Sequence, residues 1–276
     1  MGSIALASPH LRLIAGALLT LGGWISPAAA QDKPFIEDRP DVIFMVGVGP
    51  VLKPKYLGAE AFSISASPVI NVWREGERMP AETADEGSGF AVVGERGELA
   101  AGLALSVAPG RKGSDIAPAL ADVGFGIEAG SFIEAYPMPN LRLRGELRQA
   151  IGAHKGLVAD ASIDLVLRQP DDRLVVTLGP RLRWGNARFQ RAYFGVTAAQ
   201  APASGLPAYV PGGGIHAYGA MTGAYYQLDR TWGLFAFAGY DRLTGVAARS
   251  PIVAQTGSRN QVSTGLALTY RFTIRR

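Results

Sequence analysis

Four consecutive segments between residues 124 and 184 constrain the fold most strongly, because they alternate apolar and polar residues over long stretches. Apolar residues, mostly Leu, Ile and Val, recur at alternate positions, and every charged residue falls between them. Successive side chains of a β-strand point to opposite faces, so the alternation predicts strands with one apolar and one ionic face. The predicted ionic face comprises Glu128, Glu134, Arg142, Arg144, Glu146, Arg148, Asp160, Asp164, Arg168, Arg181 and Arg183.

A soluble sandwich would sort its charges in the same way, so the lengths of the strands and of their connections decide between the two architectures. The four segments run about 11–13 residues, slightly above the roughly 9–11 that a tilted membrane-spanning strand needs. Short turns at 137–139, 169–172 and 228–231 alternate with long loops at 185–212 and 244–260. Short periplasmic turns and longer extracellular loops are typical of outer-membrane barrels.

The remaining segments support an all-β fold, an antiparallel transmembrane β-barrel that covers residues 41–272. Counting strands so that the last one ends in the periplasm predicts about ten strands, with twelve possible. Residues 74–98 then form an irregular insertion or extension. In the segment 232–242, Trp232 and Tyr240 share one face as girdle aromatics would, whereas Phe235 and Phe237 lie on the other.

The final strand carries the expected signal for the barrel-assembly machinery. Its apolar face consists of Val262, Thr264, Leu266, Leu268, Tyr270 and Phe272. Barrel chains usually stop at the terminal aromatic residue, but here a short tail, residues 273–276, follows Phe272.

The N-terminus predicts export. His10 and Arg12 precede an apolar run that ends at Ile25, and Ala28-Ala29-Ala30 provides a cleavage site. This pattern predicts a secretory signal peptide at 1–30, followed by a periplasmic lead at 31–40. The chain has no Cys, which argues against a disulfide scaffold, and its net charge of +4 is too mild to suggest nucleic acid.

The histidines give little support for catalysis. Beyond His10 in the predicted signal, only His154 and His216 are available, and neither has a serine at the spacing that a nucleophilic pair on one strand requires. The sequence also contains no metal-ligand cluster and no phosphate-binding loop. We therefore expect a protein without catalytic residues, metal or cofactor.

Several blocks resemble the MipA/OmpV family across most of the mature chain. The blocks are 54–58, 141–149, 193–197, 204–209 and 250–253 with 257–261. This resemblance implies an outer-membrane protein that interacts with a murein lytic transglycosylase and acts as a scaffold for murein-synthesis or envelope machinery. Other members are described as adhesion or stress-related, porin-like proteins, so a narrow channel or a surface protein is the alternative.

Two features are candidates for function. The ionic face is either a charged lining that selects solutes or a self-neutralising network that fills a narrow barrel, because about ten strands leave little room inside. The apolar residues Tyr193, Phe194, Leu206 and Tyr209 in a long loop could bind a partner or fold back to cap the barrel. A murein enzyme would have to bind on the periplasmic side of the barrel, which we expect to be a monomer in outer-membrane lipid.

Overall fold

The computed structural model describes residues 40–95 and 97–275, so the predicted signal peptide and nearly all of the predicted lead lie outside the described residues. The described chain forms one antiparallel sheet of eleven strands. These are β1 (Val42–Pro54), β2 (Phe62–Arg74), β3 (Ser88–Gly94), β4 (Leu99–Ala108), β5 (Gly126–Met138), β6 (Leu141–Gly152), β7 (Leu157–Arg168), β8 (Leu174–Gly185), β9 (Gly214–Gln227), β10 (Trp232–Leu243) and β11 (Asn260–Ile274).

The alternation of residue types gives each strand its two faces. Outward side chains are apolar and exposed, as Ile151, Ile163 and Leu178 illustrate with exposures of 69%, 49% and 54%. The inward side chains between them are buried or half-buried, and the ionic residues of β5–β8 are among them. The prediction of an antiparallel all-β barrel architecture is confirmed.

Two strands end the sheet, and they run in the same direction. The order is β2-β1-β11-β10-β9-β8-β7-β6-β5-β4-β3, with every neighbouring pair antiparallel. Ten antiparallel steps separate β2 from β3, so these edges are parallel. Pro68 lies in the edge strand β2, where its missing N–H costs no ladder hydrogen bond.

The edges meet at the end of the sheet that carries the short turns, which we call the turn end. There Nη2 of Arg74 donates to the carbonyl of Ala91 at 3.5 Å. The guanidinium of Arg74 also lies 5.3 Å from the centre of the Phe90 ring. The opposite end, with the long connections, is called the loop end.

Residues 75–87, here called the inner segment, explain why the sheet has eleven strands where the sequence predicts about ten or twelve. Both β2 and β3 run toward the turn end. β2 therefore ends near the turn end, whereas β3 starts nearer the loop end. The inner segment therefore runs from the turn end toward the loop end through the interior, along the inward faces of the strands. This return replaces a strand, which leaves an odd number. The region predicted to be an irregular insertion is thus the inner segment together with β3.

Within the described residues, four α-helices close the loop end together with a 3-10 helix at Gly113–Asp115: α1 (Ala187–Phe194), α2 (Ala201–Ser204), α3 (Gly245–Ala248) and α4 (Pro251–Thr256). Asn186 starts α1, because its side chain accepts hydrogen bonds from the N–H groups of Arg188 and Phe189. Ser250 starts α4, where its hydroxyl accepts from the N–H of Ile252. None of the helices among the described residues has the length and hydrophobicity needed to cross a membrane.

A side chain within a short turn can accept hydrogen bonds from the backbone N–H groups of that turn. In the turn between β9 and β10, Oδ1 of Asp229 accepts hydrogen bonds from the N–H groups of Trp232 and Thr231, at 2.8 and 2.7 Å. These backbone donors hold the pKa of the Asp229 carboxyl below its usual range. At the same end, β11 continues to Ile274, which pairs with Val42, so the strand runs two residues past Phe272, the predicted end of the barrel.

Candidate binding site in the lumen

The inward faces of β5–β8 form a charged wall, which contains the eleven ionic residues that the sequence places on one face. Arg142 lies at its centre with no exposed side-chain surface. Its Nε donates to Glu134 at 2.8 Å, and its Nη1 donates to Asp164 at 3.1 Å. The registers of β5, β6 and β7 thus place side chains of opposite charge on neighbouring strands at the same height.

Two more arginines of β6 extend this network towards the loop end. Arg144 donates through Nε to Glu146 at 2.8 Å, and its guanidinium lies 4.1 Å from the centre of the Phe132 ring. Arg148 donates to Glu128 at 3.0 Å, to Asp160 at 2.5 Å and also to Glu146. A charge-assisted hydrogen bond of this kind is stronger than a neutral one, so these contacts fix the side chains in place.

The inner segment is bound to the charged wall through both side chains and backbone. Nη2 of Arg142 donates to Glu86 at 2.6 Å, and its Nη1 donates to the carbonyl of Ala81 at 2.9 Å. Arg181 donates to Asp85 at 2.9 Å and to the hydroxyl of Thr83 at 3.0 Å. The segment is therefore held at successive heights along its path.

The remaining arginines of the predicted set bind at the two ends of this path. Arg168, near the turn end, donates to the carbonyl of Met79 at 2.7 Å and to Asp172 at 3.2 Å. Arg183, nearer the loop end, donates to Asp85 at 2.9 Å and to Asp241 at 3.0 Å. All eleven predicted ionic residues therefore face the interior.

The sequence prediction missed several partners in this network. They are Glu82, Thr83, Asp85 and Glu86 on the inner segment, Ser162, His154 and Asp241. The predicted face has six arginines and five carboxylates, so it needs a further carboxylate to balance its charge. The short acidic stretch at 82–86 was the signal in the sequence for where that carboxylate comes from. Its short, non-alternating sequence gave no indication that it lies inside the sheet.

The opposite side of the lumen is an apolar wall, formed by β1, β2 and β9–β11. Its buried residues pack into one cluster with the inner segment and with the turn-end parts of β7 and β8. The wall contributes Met45, Trp73, Tyr225, Phe235 and Ala267, the inner segment contributes Met79 and Ala81, and β7 and β8 contribute Val166 and Val175. Phe235 and Phe237 point inward because their neighbours leave space for the rings. A Cβ added at Gly265 would lie only 2.5 Å from Cε1 of Phe237.

The long loops fold back over the lumen. Of the predicted partner-binding residues, Tyr193, Phe194 and Leu206 are buried, while Tyr209 is half-buried. The hydroxyl of Tyr209 donates to the carbonyl of Val246 at 2.8 Å, and that of Tyr193 donates to Pro109 at 2.9 Å. Burial raises the pKa of the Tyr193 hydroxyl. These aromatic residues pack into the cap, so a partner in solution could reach only part of Tyr209.

A cavity of about 360 Å³ lies between this cap and the inner segment. We call it the loop-end cavity. Its ionic side includes Asp85, Arg183 and Asp241, and its apolar side includes Phe189 and Phe237. It has room for a small molecule, and sequence patterns could not reveal it because its walls come from the strands, the inner segment and the loops together.

His216 also lines this cavity, although its alternation places it on the outward face with Tyr218. The register shifts between Arg183 and Trp184, opposite the start of β9, and this bulge turns His216 inward. Its ring lies 4.7 Å from that of Phe189, and its Nδ1 is buried without a hydrogen-bond partner.

The two histidines make no catalytic pair in the described ranges. Nε2 of His154 lies 2.9 Å from Glu128, and its Nδ1 accepts from the N–H of Gly156. No Ser or Thr hydroxyl of residues 40–95 and 97–275 is hydrogen-bonded to His154 or His216. The same ranges contain no group of three or more His, Asp or Glu residues arranged to hold a metal ion.

The predicted assembly signal lies on the outer surface. Leu266, Leu268, Tyr270 and Phe272 are exposed by 51%, 47%, 40% and 38%. The rings of Tyr270 and Phe272 stack at 6.2 Å, and Trp232 contacts Tyr270 at 5.0 Å. These side chains form an aromatic patch near the turn end.

Comparison with known proteins identifies one family. The family model described as "MltA-interacting protein MipA" matches residues 46–272. Comparison with curated proteins gives no significant match.

Solved structures give only distant similarities. The CymD monoaromatic hydrocarbon channel is 10% identical with a TM-score of 0.37, and the alignment covers 87% of this chain and 90% of that one. A FadL homologue from Pseudomonas aeruginosa is 11% identical with a TM-score of 0.36, covering 86% and 90%. The TodX deltaS2S3 mutant channel is 9% identical with a TM-score of 0.32, covering 87% and 91%. At these values the similarity carries no functional argument.

Proposed function

The chain belongs to the MipA family, and from this premise we propose that it is a non-enzymatic outer-membrane barrel that serves as a scaffold for murein or envelope machinery. Its partner, by the description of the family, is the lytic transglycosylase MltA or a complex that contains it. The apolar exterior suits lipid, because a charge on that surface would cost roughly 2–4 kcal/mol at the bilayer midplane.

The main support for this proposal is that side chains fill the middle of the lumen. The side chains of Arg142 and Asp164 have no exposed surface, and that of Glu86 is only 6% exposed. Ions need a continuous hydrated path, and this cross-section is occupied by paired side chains and by the inner segment. A barrel closed in this way is suited to holding a partner rather than to passing solutes.

The turn end is the surface that the scaffold would offer, because a murein enzyme works in the periplasm. Its short turns present exposed side chains of both signs, among them Glu98, Asp171 and Arg230. The loop end would face outward, so its exposed residues provide matched controls. Glu60 and Arg188 are exposed there.

Capture of the barrel by immobilised MltA tests the scaffold directly. We expect the refolded protein to bind, and the double variant Glu98→Lys with Arg230→Glu to lose at least tenfold in affinity. The loop-end pair Glu60→Lys with Arg188→Glu leaves the net charge equally unchanged and should bind normally. Absence of binding by the unmodified protein, or equal losses in both pairs, would contradict the proposal.

A narrow gated channel is the second candidate, and the loop-end cavity favours it. The cavity occupies the outer part of the lumen, so the inner segment is the part of the chain that would have to move to extend it toward the turn end. The chain has no Cys, which permits a clean crosslink between the inner segment and the wall. A Cβ at Gly223 would lie 3.5 Å from Cγ2 of Thr83, so positions 83 and 223 are neighbours at which to test this crosslink. The new Cβ would also lie 2.9 Å from Oγ1 of Thr177, which must shift to accept it.

Planar-bilayer conductance of Thr83→Cys with Gly223→Cys separates the two functions. A scaffold should show no steady current in either the reduced or the oxidised state. A gated channel should conduct when reduced and fall silent when oxidised. Thr83→Cys with Thr222→Cys is the control, because Thr222 lies on the other face of β9 and cannot form the crosslink.

A further inference from the structure

The loop-end cavity has an ionic side that is not electrically balanced. Two guanidinium groups, those of Arg148 and Arg183, line it together with four carboxylates. The carboxylates are Asp85, Glu128, Asp160 and Asp241. Lys53 and Lys55 also line the cavity, but Lys55 is paired with Asp115 at 3.0 Å and its side chain is 47% exposed. Three cationic groups, those of Lys53, Arg148 and Arg183, then remain against the four carboxylates.

Arg183 is shared among three of these acidic groups. It donates to Asp85 at 2.9 Å and to Asp241 at 3.0 Å, and it lies 3.5 Å from Asp160. Asp85 and Asp160 have second arginine partners, Arg181 and Arg148. Among the residues that the structure describes, Arg183 is the one charged partner of Asp241, whose side chain is the most exposed of the four carboxylates, at 25%.

The other side of the cavity offers flat apolar contacts. Phe189 and Phe237 line it together with Met221, and His216 adds an aromatic face beside Phe189. A cavity of about 360 Å³ falls within the range of roughly 300–1,000 Å³ that small-molecule sites occupy. Apolar walls with a few convergent polar groups are typical of such sites.

We propose that the loop-end cavity binds a small organic cation with a flat apolar body, of the aryl-alkylamine class. The ammonium group would lie beside Asp241, where it adds positive charge to a carboxylate whose arginine, Arg183, is shared with Asp85 and Asp160. The aryl group would lie between Phe237 and Phe189. An anion of the same shape would meet the excess of carboxylates and be repelled.

This site is independent of the proposed scaffold, because the cavity lies at the loop end and the scaffold surface at the turn end. The charge of the ligand is the discriminating property. A matched set of 2-phenylethylamine, 2-phenylethanol and 3-phenylpropionate varies that charge with little change in shape.

Isothermal titration of the refolded protein in detergent tests the proposal. We expect 2-phenylethylamine to bind at least tenfold more tightly than the alcohol, and 3-phenylpropionate to give no measurable binding. Asp241→Asn should reduce the affinity for the amine at least tenfold and leave the alcohol unchanged. Glu60→Gln removes an exposed carboxylate outside the cavity and should change neither affinity.

A second variant tests the site without removing a charge. Ala84 lies exposed on the inner segment and lines the cavity, so Ala84→Phe should fill the space and abolish binding of amine and alcohol alike. Far-ultraviolet circular dichroism and resistance of the unheated barrel to unfolding on gels establish that each variant is folded. Equal affinities for amine, alcohol and acid, or amine binding that survives Ala84→Phe, would overturn the proposal.

Discussion

The charged wall and the apolar wall bind the same inner segment by different means. Two residues of that segment contact both. Met79 and Ala81 place their side chains in the apolar cluster, while their carbonyls accept hydrogen bonds from Arg168 and Arg142. An extended chain points its side chains and its carbonyls in different directions, so one segment can satisfy two dissimilar surfaces.

The two walls differ in what they contribute to the inner segment, because one favours its burial and the other fixes its position. Apolar burial stabilises in proportion to the area removed from water and is not directional. Buried ion pairs gain little net free energy, because desolvation offsets their attraction, but they are costly to break. We infer that the apolar wall stabilises the packed state and that the charged wall fixes the height of the inner segment.

Arg142→Met should give the largest loss. The change leaves Glu86, Glu134 and Asp164 buried without their shared cation, so we expect the free energy of unfolding to fall by about 4 kcal/mol. Guanidinium unfolding in detergent, followed by tryptophan fluorescence, measures it. Arg188→Met removes an exposed arginine and should have almost no effect. A loss below about 1 kcal/mol at Arg142 would show that the charged wall does not hold the segment.

Phe235→Ala should cost slightly less, about 3 kcal/mol, because it opens a cavity in the apolar wall that its neighbours can partly fill. The same unfolding measurement applies. The outward-facing Leu234→Ala serves as the control on the same strand. If Phe235→Ala proves harmless, the apolar wall contributes little and the comparison fails.

Glu86→Gln tests whether charge at the inner segment matters beyond shape. The amide keeps the size of the side chain but weakens the contact with Arg142 at 2.6 Å, so we expect a loss of about 2 kcal/mol. Glu60→Gln, at an exposed loop position, is the control. Equal values for the two variants would mean that the carboxylate of Glu86 acts only as a hydrogen-bond acceptor.

Met79→Leu should give the smallest effect, about 0.5 kcal/mol, because volume-conserving swaps in apolar clusters are well tolerated. Paired with Glu86→Gln, it compares the tolerance of the two walls at one segment. A larger loss at Met79 than at Glu86 would reverse the roles that we assign to them.

The strands and their faces were predictable because alternation survives wherever one side meets apolar surroundings and the other an ionic interior. The four alternating segments between residues 124 and 184 correspond to β5–β8, which begin at Gly126 and end at Gly185. Such alternation predicts both the length and the register of a strand, since a slip of one residue would exchange the two faces.

The inner segment and the cavity could not be predicted in this way. Residues 75–87 follow neither a strand nor a helix period, and their contacts depend on side chains far away in the sequence, such as Arg142 and Arg181. The inward turn of His216 depends on a bulge, which alternation cannot reveal. The inward rings of Phe235 and Phe237 depend on small neighbours in other strands.

The parallel edges β2 and β3 have a consequence for the order of assembly. These edges share no ladder and approach each other where Arg74 contacts Ala91. We infer that the inner segment enters the lumen before this seam forms, so that the seam forms late in folding. It lies away from both termini, whose strands β1 and β11 are joined to each other beforehand.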